Sequence, residues 1–255
     1  MVVRDVKRQL VSMLLWSLGF LFMIIGGMTE FSALGDLEGS LNQAIESFPK
    51  IIRVLYGMEG MDLGTLTGYV GLLLFYVLIM AAIHGVFLGS SLIQREWKEK
   101  TEDFLFVKPW SRSSLLGGKL LSGLLVILIL ESVIGLSFFG ILEPRDKMDL
   151  WSMIMLSSIS THLVFYLLGF ALTIMLEKTW GSRVGLLMVL MSYFLTLLFQ
   201  LLERPFIKLL SPLAYFSGDY LSKDLGEVLL YPLLLILICV MLLFFGLKVF
   251  EKRDL

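Results

Sequence analysis

The sequence predicts an all-α membrane protein forming a single transmembrane domain over residues 1–255, and three observations carry that prediction. Hydrophobic residues fill 57% of the 255 positions and charged residues only 17%, under the roughly 25% charge of a water-soluble domain. The apolar residues fall in six runs, 11–31, 66–93, 115–142, 150–176, 184–202 and 228–249. Each is near or beyond the ~20 residues that cross a bilayer's hydrocarbon as a helix. Charged residues collect between the runs, where water or headgroups can solvate them.

Ahead of the first run, Val3, Val6, Leu10, Met13 and Leu14 recur at helical spacing with Arg4, Lys7 and Arg8 between them. This pattern predicts an amphipathic helix lying on the inner membrane surface. The apolar run that follows is too long for the core of a signal peptide and precedes no A-x-A cleavage site, so it reads as a retained first span. In the long loop after it, Ile45, Phe48, Ile52 and Leu55 form a second helical stripe. Several later runs exceed twenty residues, which predicts tilting or extension past the membrane. Residues 203–227 are broken by Pro205, Ser211-Pro212 and Gly218, yet Phe206, Leu209, Leu210, Leu213, Tyr215 and Phe216 are too apolar for a solvated loop. This segment is expected to pack on the outer surface of the bundle or dip partway into the membrane. No fixed-period repeat, low-complexity tract or soluble domain is visible.

Orientation follows from the basic residues. With both termini inside, the inner segments hold Arg4, Lys7, Arg8, Arg95, Lys98, Lys100, Lys108, Arg112, Lys119, Lys178, Arg183, Lys248, Lys252 and Arg253, which is 14. The outer segments hold Lys50, Arg53, Arg145, Lys147, Arg204, Lys208 and Lys223, which is 7. Positive charge favours the cytoplasmic side, so the expected location is the cell membrane, multi-pass, with cytoplasmic termini.

The connection between the second and third runs, residues 95–112, is the most charged segment. It cannot sit in lipid, because Arg, Lys and Asp each cost about 2.5–3.5 kcal/mol at the centre of a span. Its first half has helical character. Glu96 and Lys100 form an i,i+4 pair worth ~0.2–0.5 kcal/mol, and Trp97, Phe104 and Leu105 share one face. Pro109 then disfavours helix at Lys108. Two readings stand: a solvated loop that orients the spans by its charge, or a short docking helix showing aromatic and acidic side chains to another protein.

The run Thr101-Glu102-Asp103-Phe104-Leu105-Phe106-Val107-Lys108-Pro109-Trp110-Ser111-Arg112, preceded by Glu96 and followed by Gly118-Lys119, resembles the segment after the second span of type-2 ABC transporter permeases. Those proteins show Glu, then Gly-Thr, an acidic-apolar stretch, Pro-x-Ser-Arg and a later Gly-Lys. Ser211-Pro212 with Tyr215 and Phe216, the terminal 250–255 segment, and six spans with a long first outer loop also resemble that family, over nearly the whole chain. Lys100 departs from it, standing where the family usually has Gly.

The resemblance implies a coupling helix at about 95–106 that docks on a separate ABC ATP-binding subunit through Glu96, Trp97, Lys100, Thr101, Glu102, Phe104 and Leu105. It also implies pairing with a second permease subunit, as homo- or heterodimer, and closure of two ATPase subunits that switches the pair between inward- and outward-facing states. A ligand shifts such an equilibrium only by its differential affinity for the two states.

The motor itself is not encoded here. No G-x-x-x-x-G-K-[ST] phosphate loop occurs, and Gly117-Gly118-Lys119 runs on into Leu120 and an apolar span. ATP and Mg are therefore expected on the partner subunit, with no cofactor on this chain. The net charge of −1 gives no sign of a nucleic-acid partner. Cys239, the single cysteine, lies in an apolar run and reads as a buried, inert thiol.

Among polar residues within the spans, Glu131 and His162 fall at similar depth and are the candidate functional pair. Contact between them would ease the desolvation of both and couple their protonation. A protonated Glu131 bonded to a hydroxyl or backbone carbonyl is the structural alternative. His84 reads as a packed neutral histidine, beside a G-x-x-x-G at Gly85 and Gly89 that can admit close helix approach. Glu30 can snorkel to the outer interface, and Trp16 reads as a packing or anchoring aromatic. A rhomboid-like protease would need G-x-S-G and a late histidine, and a zinc protease H-E-x-x-H; the chain has neither. The expected function is therefore the permease of an ABC exporter with an amphipathic or hydrophobic cargo such as a peptide, drug or lipid-like compound. The alternatives are an ATP-independent transporter or channel using Glu131, and an immunity protein that binds a toxic peptide.

Overall fold

The computed structural model describes residues 2–34, 38–98, 112–142, 147–176, 180–216, 221 and 225–251. Among them are ten α-helices, one 3-10 helix and no strand. In order these are α1 (Val2–Arg8), α2 (Leu10–Leu34), α3 (Glu38–Glu46), α4 (Lys50–Leu55), α5 (Leu66–Lys98), α6 (Arg112–Ile141), α7 (Lys147–Met175), α8 (Trp180–Leu202), α9 (Pro205–Leu210), the 3-10 helix (Pro212–Phe216) and α10 (Leu225–Glu251).

Five helices are long and apolar enough to cross a membrane, over Leu10–Ala33, Leu66–Arg95, Ser114–Ile141, Met148–Met175 and Trp180–Leu202. Within α10 the described apolar stretch is Pro232–Gly246. α2 runs antiparallel to α5, with Gly19 against Met80 and Gly27 against Leu73, and α6 runs antiparallel to α7, with Gly123 against Tyr166 and Gly135 against Met155. α5 and α7 are the most enclosed and α2 the least. α7 is the hub, packed on α5, α6, α8 and α10, while α2 lies against α5 and α6. The largest fully buried side chains are Tyr166, Phe20, Phe75, Phe138, Phe165 and Phe170. In lipid these aromatics gain little from leaving water, so interdigitation rather than transfer holds the helices together.

Local chemistry sets the element ends. Thr65 caps α5, its hydroxyl accepting from the Gly68 N–H at 3.2 Å. Pro205 opens α9 at a position that needs no N–H. α8 ends where Glu203 turns left-handed at φ 54°, with its N–H bonded to the Phe199 carbonyl at 2.7 Å. Lys50 reaches Glu203 at 2.9 Å across the surface, and this neighbouring cation holds the exposed Glu203 carboxyl below its usual range.

The short elements differ in part from the sequence patterns. The Ile45–Phe48–Ile52–Leu55 stripe is not one helix: Pro49 separates α3 from α4, and the residue α4 buries is Val54, with Ile52 and Leu55 exposed. α4 lies as a link between two long helices. Tyr76 on α5 donates to the Tyr56 carbonyl at 2.9 Å and Tyr193 on α8 donates to the Leu55 carbonyl at 2.9 Å. α1 is helical as expected, but it buries Asp5 and leaves Val3 exposed.

The segment after α8 folds in two halves. α9 stays on the surface, with Phe206, Leu209 and Leu210 exposed, while Leu213, Ala214, Tyr215 and Phe216 are buried. The turn between them is fastened by hydroxyls. Ser211 Oγ donates to the Ser192 carbonyl at 2.7 Å and lies 3.0 Å from Ser192 Oγ and 2.9 Å from Thr196 Oγ1. It also accepts from the Ala214 N–H at 3.3 Å.

Candidate functional site

The site is built on the crossing of α5 and α7, where glycine lets two backbones nearly touch. A Cβ at Gly85 would lie 2.8 Å from the His162 carbonyl oxygen and 2.9 Å from the Tyr166 nitrogen. From the other side, a Cβ at Gly169 would lie 2.7 Å from the Val86 carbonyl oxygen. The G-x-x-x-G of α5 thus meets a third glycine on α7, a contact no side chain could enter.

This close approach sets His84 against His162. His84 Nδ1 and His162 Nε2 are 2.7 Å apart, and His162 Nδ1 lies 2.8 Å from Glu131 Oε1 on α6. The result is an unbroken chain, Glu131–His162–His84, joining three helices. Its members are 2%, 0% and 2% exposed, so each relies on the others in place of water. The Trp16 ring on α2 packs edge-on against His84, centroids 5.1 Å apart. Glu131 Oε2, Ser158 Oγ and Thr161 Oγ1 are buried without a hydrogen-bond partner.

The structure therefore brings Glu131 and His162 into direct contact. His84, read from sequence as a bystander, is the third member. Depth along a helix was legible, and so was the glycine spacing; which face of α5 meets α7 was not, and no signal in the sequence names the partner of His84.

A second buried polar cluster lies at the end of the bundle that carries α1. Lys119, 5% exposed, donates to the Leu92 carbonyl of α5 at 2.7 Å and stands 3.8 Å from Asp5 Oδ2, itself 4% exposed. Arg4 bonds the other Asp5 oxygen at 3.2 Å. Gln9 donates to Ser91 Oγ at 3.1 Å. Lys119, which the sequence placed only among the inner basic residues and in the Gly118-Lys119 pair, thus ties α1, α5 and α6 together. Of the expected docking residues, Glu96 and Trp97 fall in the last turn of α5, with side chains outside the described part. Lys100, Thr101, Glu102, Phe104 and Leu105 lie outside the described residues.

A bundle of long apolar helices with a buried ionisable chain at its centre defines a multi-pass membrane protein with a polar core. The chain belongs to the ABC-2 family of transporter proteins, matching that family over residues 2–255. It is an ABC permease subunit, a membrane transport component distinct from the ATPase, and membership implies an ATP-binding partner. No curated protein matches it.

Proposed function

We propose that this chain is the membrane-spanning half of an ATP-driven ABC exporter, acting as a permease pair with two separate ATPase subunits. α10 is the sixth span, both termini face the cytoplasm, and residues 95–112 carry the coupling helix at the joint between α5 and α6. The family match over residues 2–255 is the observation that carries this reading. ATP and Mg act on the partner, whose closure presses on Glu96, Trp97, Lys100, Thr101, Glu102, Phe104 and Leu105.

The cargo is amphipathic or hydrophobic, in the class of a peptide, drug or lipid-like compound. Support comes from the long helices, whose exposed faces are Leu, Phe and Met, as at Leu14, Leu18 and Phe22 on α2 and Met188, Met191 and Phe194 on α8. An ATP-independent transporter is the second reading, favoured only by the buried Glu131–His162 pair, since an ionisable residue at that depth commonly marks a transport pathway.

The test is co-purification with the ATPase subunit from mild detergent, followed by ATPase assay. The wild type is expected to retain the ATPase, with Phe104→Asp weakening retention and Glu102→Arg uncoupling hydrolysis while the spans stay folded. Normal binding and coupling in both variants would remove the docking assignment. Wild type that never retains the ATPase would favour the ATP-independent reading.

A further inference from the structure

We propose that Glu131, His162 and His84 form a proton relay in the membrane core, carrying one proton per opening of the α5–α7 contact. It goes beyond the permease reading. The ligand is a proton, delivered and removed by water on the two sides.

Valence couples the two hydrogen bonds of His162. Both ring nitrogens of His162 are engaged, at 2.8 Å to Glu131 and 2.7 Å to His84, but a neutral imidazole carries a single N–H. The two bonds therefore cannot be set independently. In one state Glu131 O–H donates to His162 Nδ1, and His162 Nε2–H donates to His84 Nδ1. In the other, His162 Nδ1–H donates to the Glu131 carboxylate and His84 Nδ1–H donates to His162 Nε2. Passage between them breaks the Glu131 O–H and His162 Nε2–H bonds and forms the His162 Nδ1–H and His84 Nδ1–H bonds. One proton leaves Glu131 and one arrives at His84. His84, now an imidazolium, gives its Nε2 proton to water and becomes neutral, and water on the other side returns a proton to the Glu131 carboxylate, so one proton has crossed and charge balances overall.

Direction comes from helix counting at 1.5 Å per residue. Glu131 is ten residues, about 15 Å, from the Ile141 end of α6. His162 is fifteen residues, about 22 Å, from the Lys147 end of α7. His84 is level with His162, because its neighbour Gly85 touches the His162 backbone. The Ile141 and Lys147 ends share one side of the bundle, so the relay steps inward from Glu131 to His162 and then sideways across the α5–α7 contact to His84. Trp16 packs against His84 and closes the relay on the α2 side. No other titratable side chain is hydrogen-bonded to the three among the described residues. α10 turns Cys239 to the Val164 carbonyl at 3.7 Å, and the buried polar residues of α8 (Ser192, Thr196, Gln200) are not ionisable.

Resetting is what ties the proton to movement. After transfer, His162 and His84 both carry their proton on Nδ1, and both must regain the Nε2–H form before a second proton can pass. The two rings are enclosed where the α5 and α7 backbones nearly touch, so turning them over needs the helices to part.

The experiment uses the full chain in lipid nanodiscs with ring-15N histidine. It holds only two histidines, so every imidazole signal belongs to the relay. The tautomer patterns of the two rings should be correlated, and Glu131→Gln should alter the pattern of His84, which it does not touch. A parallel assay puts the protein, alone and with its ATPase, in vesicles holding a pH-sensitive dye. Wild type should move protons under an imposed pH gradient or with ATP, and Glu131→Gln and His84→Gln should lose that movement. Histidine signals that stay fixed and independent of Glu131, or vesicles that move no protons in either mode, overturn the relay. Failure of the ATPase to associate would defeat the exporter reading alone, because the spectra and the gradient-driven flux do not depend on it.

Discussion

Gly85 and His162 are in backbone contact: a Cβ on Gly85 would stand 2.8 Å from the His162 carbonyl oxygen. Alanine favours a helix over glycine by about 1 kcal/mol, but here the obstacle is backbone that cannot rotate away, and overpacking costs about 1–3 kcal/mol. The steric term wins. Gly85→Ala should lower stability in detergent unfolding, whereas Gly117→Ala on α6, where a Cβ meets nothing within 4 Å, should raise it slightly. Equal shifts for the two would show that the α5–α7 approach is looser than described.

Lys119→Met should be the more damaging half of the buried charge cluster. It strands Asp5 with only the half-exposed Arg4 described beside it, and removing one partner of a buried pair costs about 3–5 kcal/mol as an upper range for so long a contact. Asp5→Asn should cost less, because Lys119 keeps the Leu92 carbonyl. The double variant should recover much of the loss. A thermal-unfolding cycle in which the two singles simply add would deny the coupling.

Ser211→Ala removes a hydroxyl that donates to the Ser192 carbonyl and accepts from the Ala214 N–H. Leaving such buried groups unpaired costs about 1–3 kcal/mol. The variant should unfold more easily and expose the connection between α8 and α10 to protease. Unchanged cleavage would mean that packing of Tyr215 and Phe216 alone seats this turn.

Glu203 offers a pH test with a definite sign. Lys50 depresses its carboxyl, so whatever the pair adds to stability is fully present above the ordinary carboxylate pKa and is lost as pH falls through the lower folded value. Lys50→Gln should return Glu203 to the ordinary range in a carboxylate NMR titration. Glu203→Gly should relieve the left-handed backbone at φ 54° while forfeiting the pair, so its benefit should be largest in acid.

The long elements were legible because each needs only length and composition. The expected run 66–93 became α5, Leu66–Lys98, and 150–176 became α7, Lys147–Met175. What the sequence hides is azimuth. Apolar residues surround a membrane helix on every side, so hydrophobicity does not mark the buried face as it does in water. His84, Gly169 and Lys119 were missed for that reason: each matters through the helix it faces. The Ile45–Leu55 stripe failed differently, because Pro49 broke the helix on which the spacing relied.

The tyrosine contacts of α4 bear on how the bundle can move. The carbonyls of Leu55, its last residue, and of Tyr56 just beyond it accept from Tyr193 on α8 and Tyr76 on α5, making it a crossbeam between two long levers. The same two helices are tied again near the other tip of α5, where Gln94 donates to Ser182 Oγ at 3.2 Å. Fastened at both ends, α5 and α8 are built to tilt as one rigid frame, carrying any push at the end where residues 95–112 begin through to α4.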